Sequence, residues 1–266
     1  MPDAIVSVRG GKLAYSDTGR GSPVVLLHAF PLDRGMWQPQ IDALAGQCRI
    51  LAVDLPGFGQ SSVDPNVSVE TAADGLAELL EAANLPGRVV LGGLSMGGYV
   101  AMAFARRHPQ RLAGLILADT RSDADDDAGK KNRDRLISMT QEFGPSKVYE
   151  VMLPKVVCED TLKNQPKIVE SIRVLAARQS AAGVIGGLKL LRDRPDATPE
   201  LSRIAVPTLI IVGELDAITP PPLAEQMASH IAGSRVVVIP GAGHLSNMEK
   251  PAAFNAAVAE FLLHVV

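Results

Sequence analysis

At 266 residues, 47% hydrophobic and 21% charged, the chain has a globular composition and suits one large domain carrying an insertion better than two equal domains. A formal net charge of −3, with no basic stripe and no aromatic platform, excludes a nucleic-acid binder. No apolar run approaches the ~18 residues of a membrane span, and Met1-Pro2-Asp3-Ala4 shows no basic-then-apolar leader.

Taken in order, Ala4–Arg9 and Lys12–Asp17 read as a hairpin turning at Gly10-Gly11. Pro23–His28 is a continuous apolar run, as expected of a strand covered on both faces. A loop, Ala29-Phe30-Pro31-Leu32-Asp33, leads to a helix over Trp37–Gly46 and a second buried strand over Arg49–Asp54. Val69–Ala83 has helical spacing, with Ser68 as its N-cap. Val89–Leu94 is a strand, and good helix formers follow Gly98 up to His108-Pro109. Leu112–Ala118 gives another strand. Residues 121–195 then hold no strand, only amphipathic helical segments broken at Gly144-Pro145, Pro154, Pro166 and Pro195. The strand–helix alternation resumes with Val206–Gly213, a helix after Pro220–Pro222, the strand Arg235–Ile239 and a helix around Pro251–Leu263. This rhythm predicts an α/β fold with a mostly parallel sheet. The acidic run Asp123–Asp127 is expected as a solvated loop, since it lacks the glycine and distal glutamate of a calcium loop.

Ser95 sits in Gly93-Leu94-Ser95-Met96-Gly97, between a strand and a helix. Such a turn strains the serine backbone and exposes its Oγ, and side chains at 93 and 97 would clash. A serine needs a base, itself oriented by a third group. Of five histidines, His244 follows a strand in the loop Pro240-Gly241-Ala242-Gly243-His244. His28 is expected in a supporting role, His108 at a helix end that favours a cation, and His230 and His264 in solvent. The acid is expected at Asp216, after the Val206–Gly213 strand. Glu214 and Asp119 are the alternatives, because each also stands at a strand end. Backbone N–H groups of Met96 and Phe30 are the expected oxyanion donors; Pro31 has no N–H to offer. Asp54 reads as a turn-fixing residue, and Ser61 and Ser62 as loop serines. Met139, Phe143, Met152, Leu153, Val184 and Leu188 are apolar at helical spacing in the insertion and are candidates for substrate contact, although such residues more often serve helix packing. Arg121 and Arg178 are candidates for a substrate carboxylate or for surface ion pairs. Cys48 and Cys158 lie far apart without histidine-rich spacing, so free buried thiols in a reducing, cytoplasmic setting are expected, and no metal site. Nucleotide-binding glycine or lysine motifs are absent, and no cofactor is expected.

Five segments in order, Leu-His-Ala-Phe-Pro (27–31), Asp-Leu-Pro-Gly-Phe-Gly-Gln-Ser (54–61), Gly-Leu-Ser-Met-Gly-Gly (93–98), Gly-Glu-Leu-Asp (213–216) and Gly-Ala-Gly-His (241–244), resemble the α/β-hydrolase superfamily over nearly the whole chain. Within it the chain is most similar to small microbial carboxylesterases, enol-lactonases and cofactor-free haloperoxidase or perhydrolase-like members. The resemblance implies an eight-stranded-type sheet flanked by helices, with a core of 1–120 and 196–266 and a helical cap of 121–195 after the sixth strand. It also implies hydrolysis of a small-molecule ester or lactone through an acyl-enzyme on Ser95, with His244 as base and Asp216 as orienting acid. Two other functions fit the same resemblance: perhydrolysis or haloperoxidation by the same three residues, and ligand binding without turnover. The chain departs from the family pattern at Ala29, where glycine is usual. Alanine disfavours positive φ, so a slightly different oxyanion loop is expected.

Overall fold

The computed structural model describes residues 3–85 and 87–265; the leader expectation at Met1 and Pro2 lies outside them. The hairpin forms as the glycines require. β1 (Asp3–Val8) pairs antiparallel with β2 (Gly11–Thr18), and Gly10 and Gly11 take φ of 90° and 139°, which a side chain would strain. The chain continues through β3 (Pro23–Leu27), α1 (Gln38–Leu44), β4 (Arg49–Val53), α2 (Val69–Ala82), β5 (Val89–Leu94), α3 (Met96–Arg107) and β6 (Leu112–Ala118). Five helices follow without a strand: α4 (Asp127–Phe143), α5 (Pro145–Val156), α6 (Glu159–Asn164), α7 (Pro166–Ala177) and α8 (Ala181–Asp193). The alternation ends with β7 (Thr208–Gly213), α9 (Pro221–His230), β8 (Arg235–Ile239), α10 (Ser246–Glu249) and α11 (Pro251–Leu262).

The eight strands form one sheet in the order β1-β2-β4-β3-β5-β6-β7-β8, antiparallel at β1–β2 and β2–β4 and parallel beyond. Alternate residues of each central strand feed opposite faces. Val25, Leu27, Leu91, Leu117 and Ile210 join one apolar cluster with α2, α3 and α9. Val24, Leu26, Val90, Ile116 and Ile211 join a second with α1 and α11. The uninterrupted apolar runs are therefore strands buried on both sides. Ser68 caps α2 in a reciprocal box, its Oγ accepting from the Thr71 N–H at 3.2 Å while Thr71 Oγ1 accepts from the Ser68 N–H at 2.9 Å.

Three local expectations need correction. The helix expected from Trp37 begins as a 3-10 turn over Arg34–Trp37, because Asp33 caps the Gly35 N–H four residues early, and the α-helix runs only from Gln38 to Leu44. Pro154 does not break a helix: it lies inside α5, which runs on to Val156. The acidic run is not a free solvated loop. Asp123 pairs with Arg121, Asp125 with Arg133 at 2.9 Å and with Arg194 at 2.8 Å, and Asp126 caps α4 through the Gly129 N–H. Arg133 of α4 and Arg194 at the end of α8 meet on Asp125 and tie the two ends of the insertion together.

Candidate active site

Ser95 follows β5 at φ 53° and ψ −111° and opens α3, with its N–H bonded to the Ala118 carbonyl at 2.9 Å. The glycines are sterically required there. A Cβ on Gly93 would strike the Gly97 backbone, and one on Gly97 would strike the Leu27 carbonyl of the neighbouring strand. Thr120 Oγ1 donates to the Ser95 carbonyl at 2.9 Å, a contact that links the elbow to the end of β6.

His244 and Asp216 arrive from the loops after β8 and β7. The Ser95 Oγ and His244 Nε2 are 2.8 Å apart, and His244 Nδ1 lies 2.8 Å from Asp216 Oδ2. A carboxylate can only accept, so Nδ1 carries the proton and Nε2 is free to accept from Ser95. Asp216 is itself held: Oδ1 accepts from the Ile218 and Thr219 N–H groups at 2.8 and 2.9 Å, and Oδ2 from Thr219 Oγ1 at 2.6 Å. Burial by itself would raise the Asp216 pKa, but the His244 charge and the His244 and Thr219 hydrogen bonds outweigh it and hold the carboxyl at about 2. Burial would likewise lower His244; the charges of Asp216, Asp119 and Glu249 and the Asp216 hydrogen bond raise it above its usual 6.5.

The structure brings Ser95, His244 and Asp216 together and places the alternatives elsewhere. Glu214 accepts from the Gly241 N–H at 2.8 Å on the surface. Asp119, fully buried, accepts from Gly213 and Ser246 and makes no hydrogen bond to His244 among the described residues. His28 is buried and neutral, since burial lowers its pKa first of all; its Nδ1–H meets the Ala29 carbonyl and its Nε2 accepts from the Leu55 N–H, both at 2.9 Å. His108 bonds Asp74 at 2.8 Å, and His230 and His264 are exposed.

The loop carrying Phe30 lies under α8, where a Cβ on Gly187 would press on the Phe58 and Phe30 rings. Phe30-Pro31 is a cis peptide, and Ala29 is not among the non-glycine residues with positive φ. Among the described residues no protein group accepts from the N–H of Phe30 or Met96. Asp33 closes this loop as an acceptor for Arg178 Nε and Nη2 at 2.6 and 2.5 Å and for Gln179 Nε2 at 2.8 Å, and Gln179 Oε1 accepts from the Gly59 N–H at 2.9 Å. Arg178 and Arg121 are thus both engaged in ion pairs. Asp54 bonds the Gln60 N–H at 2.9 Å and pairs with Arg34. Val184 and Leu188 are buried in the cluster that contains Phe30 and Met96; Met139 packs against its edge. Met152 touches both clusters, Leu153 touches the second, and Phe143 is 62% exposed at the end of α4.

Sequence reasoning missed Thr219, Ser246, Glu249 and Gln179. Thr219 carried a usable signal, because an aspartate three residues before a threonine commonly accepts from that backbone N–H. Glu249 accepts from the Gly243 and Cys158 N–H groups at 2.9 and 2.8 Å, which ties the His244 loop to the helical insertion, and no local pattern announces that.

The family model of the alpha/beta hydrolase family matches residues 24–257. A thermophilic esterase from Thermogutta terrifontis, solved with malate bound, is 43% identical, with a TM-score of 0.95 over 100% of this chain and 99% of its own. A pimeloyl-[acyl-carrier protein] methyl ester esterase of Edwardsiella ictaluri is 30% identical over 90% of this chain and 92% of its own. The 3-oxoadipate enol-lactonase 2 of Acinetobacter baylyi is 29% identical over 92% and 91%. With an eight-stranded, mostly parallel sheet flanked by helices, this chain belongs to the alpha/beta hydrolase family.

Proposed function

We propose that the protein is a serine hydrolase of small carboxylic esters or lactones, working through an acyl-enzyme on Ser95. The observation that carries the reading is the pair of 2.8 Å bonds joining Ser95 Oγ, His244 and Asp216. His244 Nε2 takes the Ser95 proton as Oγ attacks the substrate carbonyl. The oxyanion forms against the N–H groups of Phe30 and Met96, the latter at the positive end of α3. His244 returns the proton to the leaving alcohol, then activates a water that releases the acid and frees Ser95. Asp216 holds the imidazole tautomer and stabilises its cation throughout. Because His244 is basic beyond 6.5, hydrolysis is expected to rise with pH through a midpoint above that value.

In this reading residues 121–195 act as a cap over a core of 1–120 and 196–266. Val184 and Leu188, which share a cluster with Phe30, form the apolar wall for the acyl group together with Met152 and Leu153, with Met139 behind them. Phe143, exposed, meets a substrate only at the mouth. No helix among the described residues is long and apolar enough to cross a membrane, and two buried free thiols suit a reducing, cytoplasmic setting. The test is Ser95→Ala, assayed on a short-chain aryl ester and for fluorophosphonate labelling. Turnover and labelling should both vanish while the thermal unfolding profile stays; undiminished turnover refutes the reading.

A further inference from the structure

We propose that Asp119 is a positioning residue for this reaction, one carboxyl that sets the placement of the two loops presenting Asp216 and His244. The inference rests on the hydrolase reading above. Asp119 follows β6, is fully buried and takes φ 42°, a left-handed conformation that a non-glycine residue keeps only where its surroundings determine it. Its N–H bonds the Ile211 carbonyl at 2.8 Å. Oδ1 accepts from the Gly213 N–H at 2.8 Å, at the end of β7 and three residues before Asp216. Oδ2 accepts from Ser246 Oγ at 2.5 Å and from the Ser246 N–H at 3.3 Å, two residues after His244. The side chain therefore bridges β7 and α10 at the roots of both loops, with no hydrogen bond to the imidazole among the described residues. A residue without acceptors there would leave the Gly213 N–H and the Ser246 hydroxyl buried and unpaired.

The same position gives Asp119 an electrostatic share in the step. The charged groups acting on His244 are Asp216 from the β7 loop, Asp119 from β6 and Glu249 from α10, and each favours the imidazolium. Burial, then the Asp216 charge, push the Asp119 pKa up to about 8, while the cationic His244 pulls it down. With its carboxyl held at about 8, Asp119 is mostly neutral below that pH and carries its charge above it, where that charge steadies the imidazolium formed as His244 takes the Ser95 proton.

The experiment compares wild type, Asp119→Asn and Asp119→Ala for kcat, KM and fluorophosphonate labelling rate across the His244 and Asp119 titrations. Asp119→Ala is expected to lose about 10²-fold in kcat with little change in KM, as for an ångström-scale misplacement of catalytic groups. Asp119→Asn keeps one acceptor for Gly213 and nearly the native shape, so it is expected to lose less. Its labelling rate relative to wild type should fall further as pH rises through about 8, because only the wild type gains a negative charge beside the imidazolium there. A purely structural residue would leave the ratio of the two rates constant with pH. If wild type neither hydrolyses the ester nor labels, the hydrolase reading falls. If wild type does both and the ratio of Asp119→Asn to wild type does not change with pH, the positioning role alone is overturned, whether or not Asp119→Ala folds.

Discussion

Replacing Asp216 by Asn tests the site most sharply, because the change keeps shape and removes one charge. Asn Oδ1 can still accept from the Ile218 and Thr219 N–H groups, but Nδ2 then faces Thr219 Oγ1 and His244 Nδ1. The hydroxyl can turn to accept. The imidazole must accept at Nδ1 and so carry its proton on Nε2, the atom needed to receive the Ser95 proton. A wrong tautomer of this kind costs ~10⁴ in kcat in the serine protease that serves as the type case, and a loss of that order is expected here. The stability consequence has a definite window. With the carboxyl held at about 2 against an ordinary 3.8, its ionised form is favoured in the native state by about 2 kcal/mol. A depressed pKa contributes stability above the unfolded value and loses it as pH falls through the native one. The wild type should therefore lose about 2 kcal/mol between about pH 5 and 2 that Asp216→Asn does not lose. Initial ester-hydrolysis rates and urea unfolding across that pH range supply both readouts. Activity within tenfold of wild type, together with an unchanged acid dependence, would refute the tautomer argument.

Two further changes probe the frame around the site. Gly97→Ala places a Cβ against the Leu27 carbonyl, so α3 must lift from the sheet; a loss of about 1–3 kcal/mol in urea unfolding is expected, with slowed labelling of Ser95. Gln179→Ala removes one of the two side chains that bridge the insertion to Asp33, leaving Arg178, and takes away the acceptor of the Gly59 N–H. Here kcat should fall with KM nearly constant, by less than the ~10²–10³ that loss of an oxyanion donor costs; a change in KM alone would mean that the bridge does not steady the Phe30 loop.

What the sequence determined by itself was whatever short-range rules decide. The apolar runs Pro23–Leu27 and Thr208–Gly213 are strands because both faces of the sheet are covered, and Ser68 caps α2 because its hydroxyl reaches only a few residues along the chain. The Ser95 elbow was legible for the same reason: glycines at 93 and 97 are needed wherever a strand turns so tightly into a helix. Choosing among Asp119, Glu214 and Asp216 was different. All three end or follow strands, and only the path of the β7 loop brings Asp216 onto His244 Nδ1 while Asp119 reaches Gly213 and Ser246. The anchoring of the insertion was beyond local pattern too. Gln179 meets Asp33 across 146 residues, and Glu249 meets Cys158 across 91. Side chains so far apart in the chain leave no periodicity for a reader to detect; their pairing follows from how the helices after β6 settle on the sheet, burying polar groups that must find partners there.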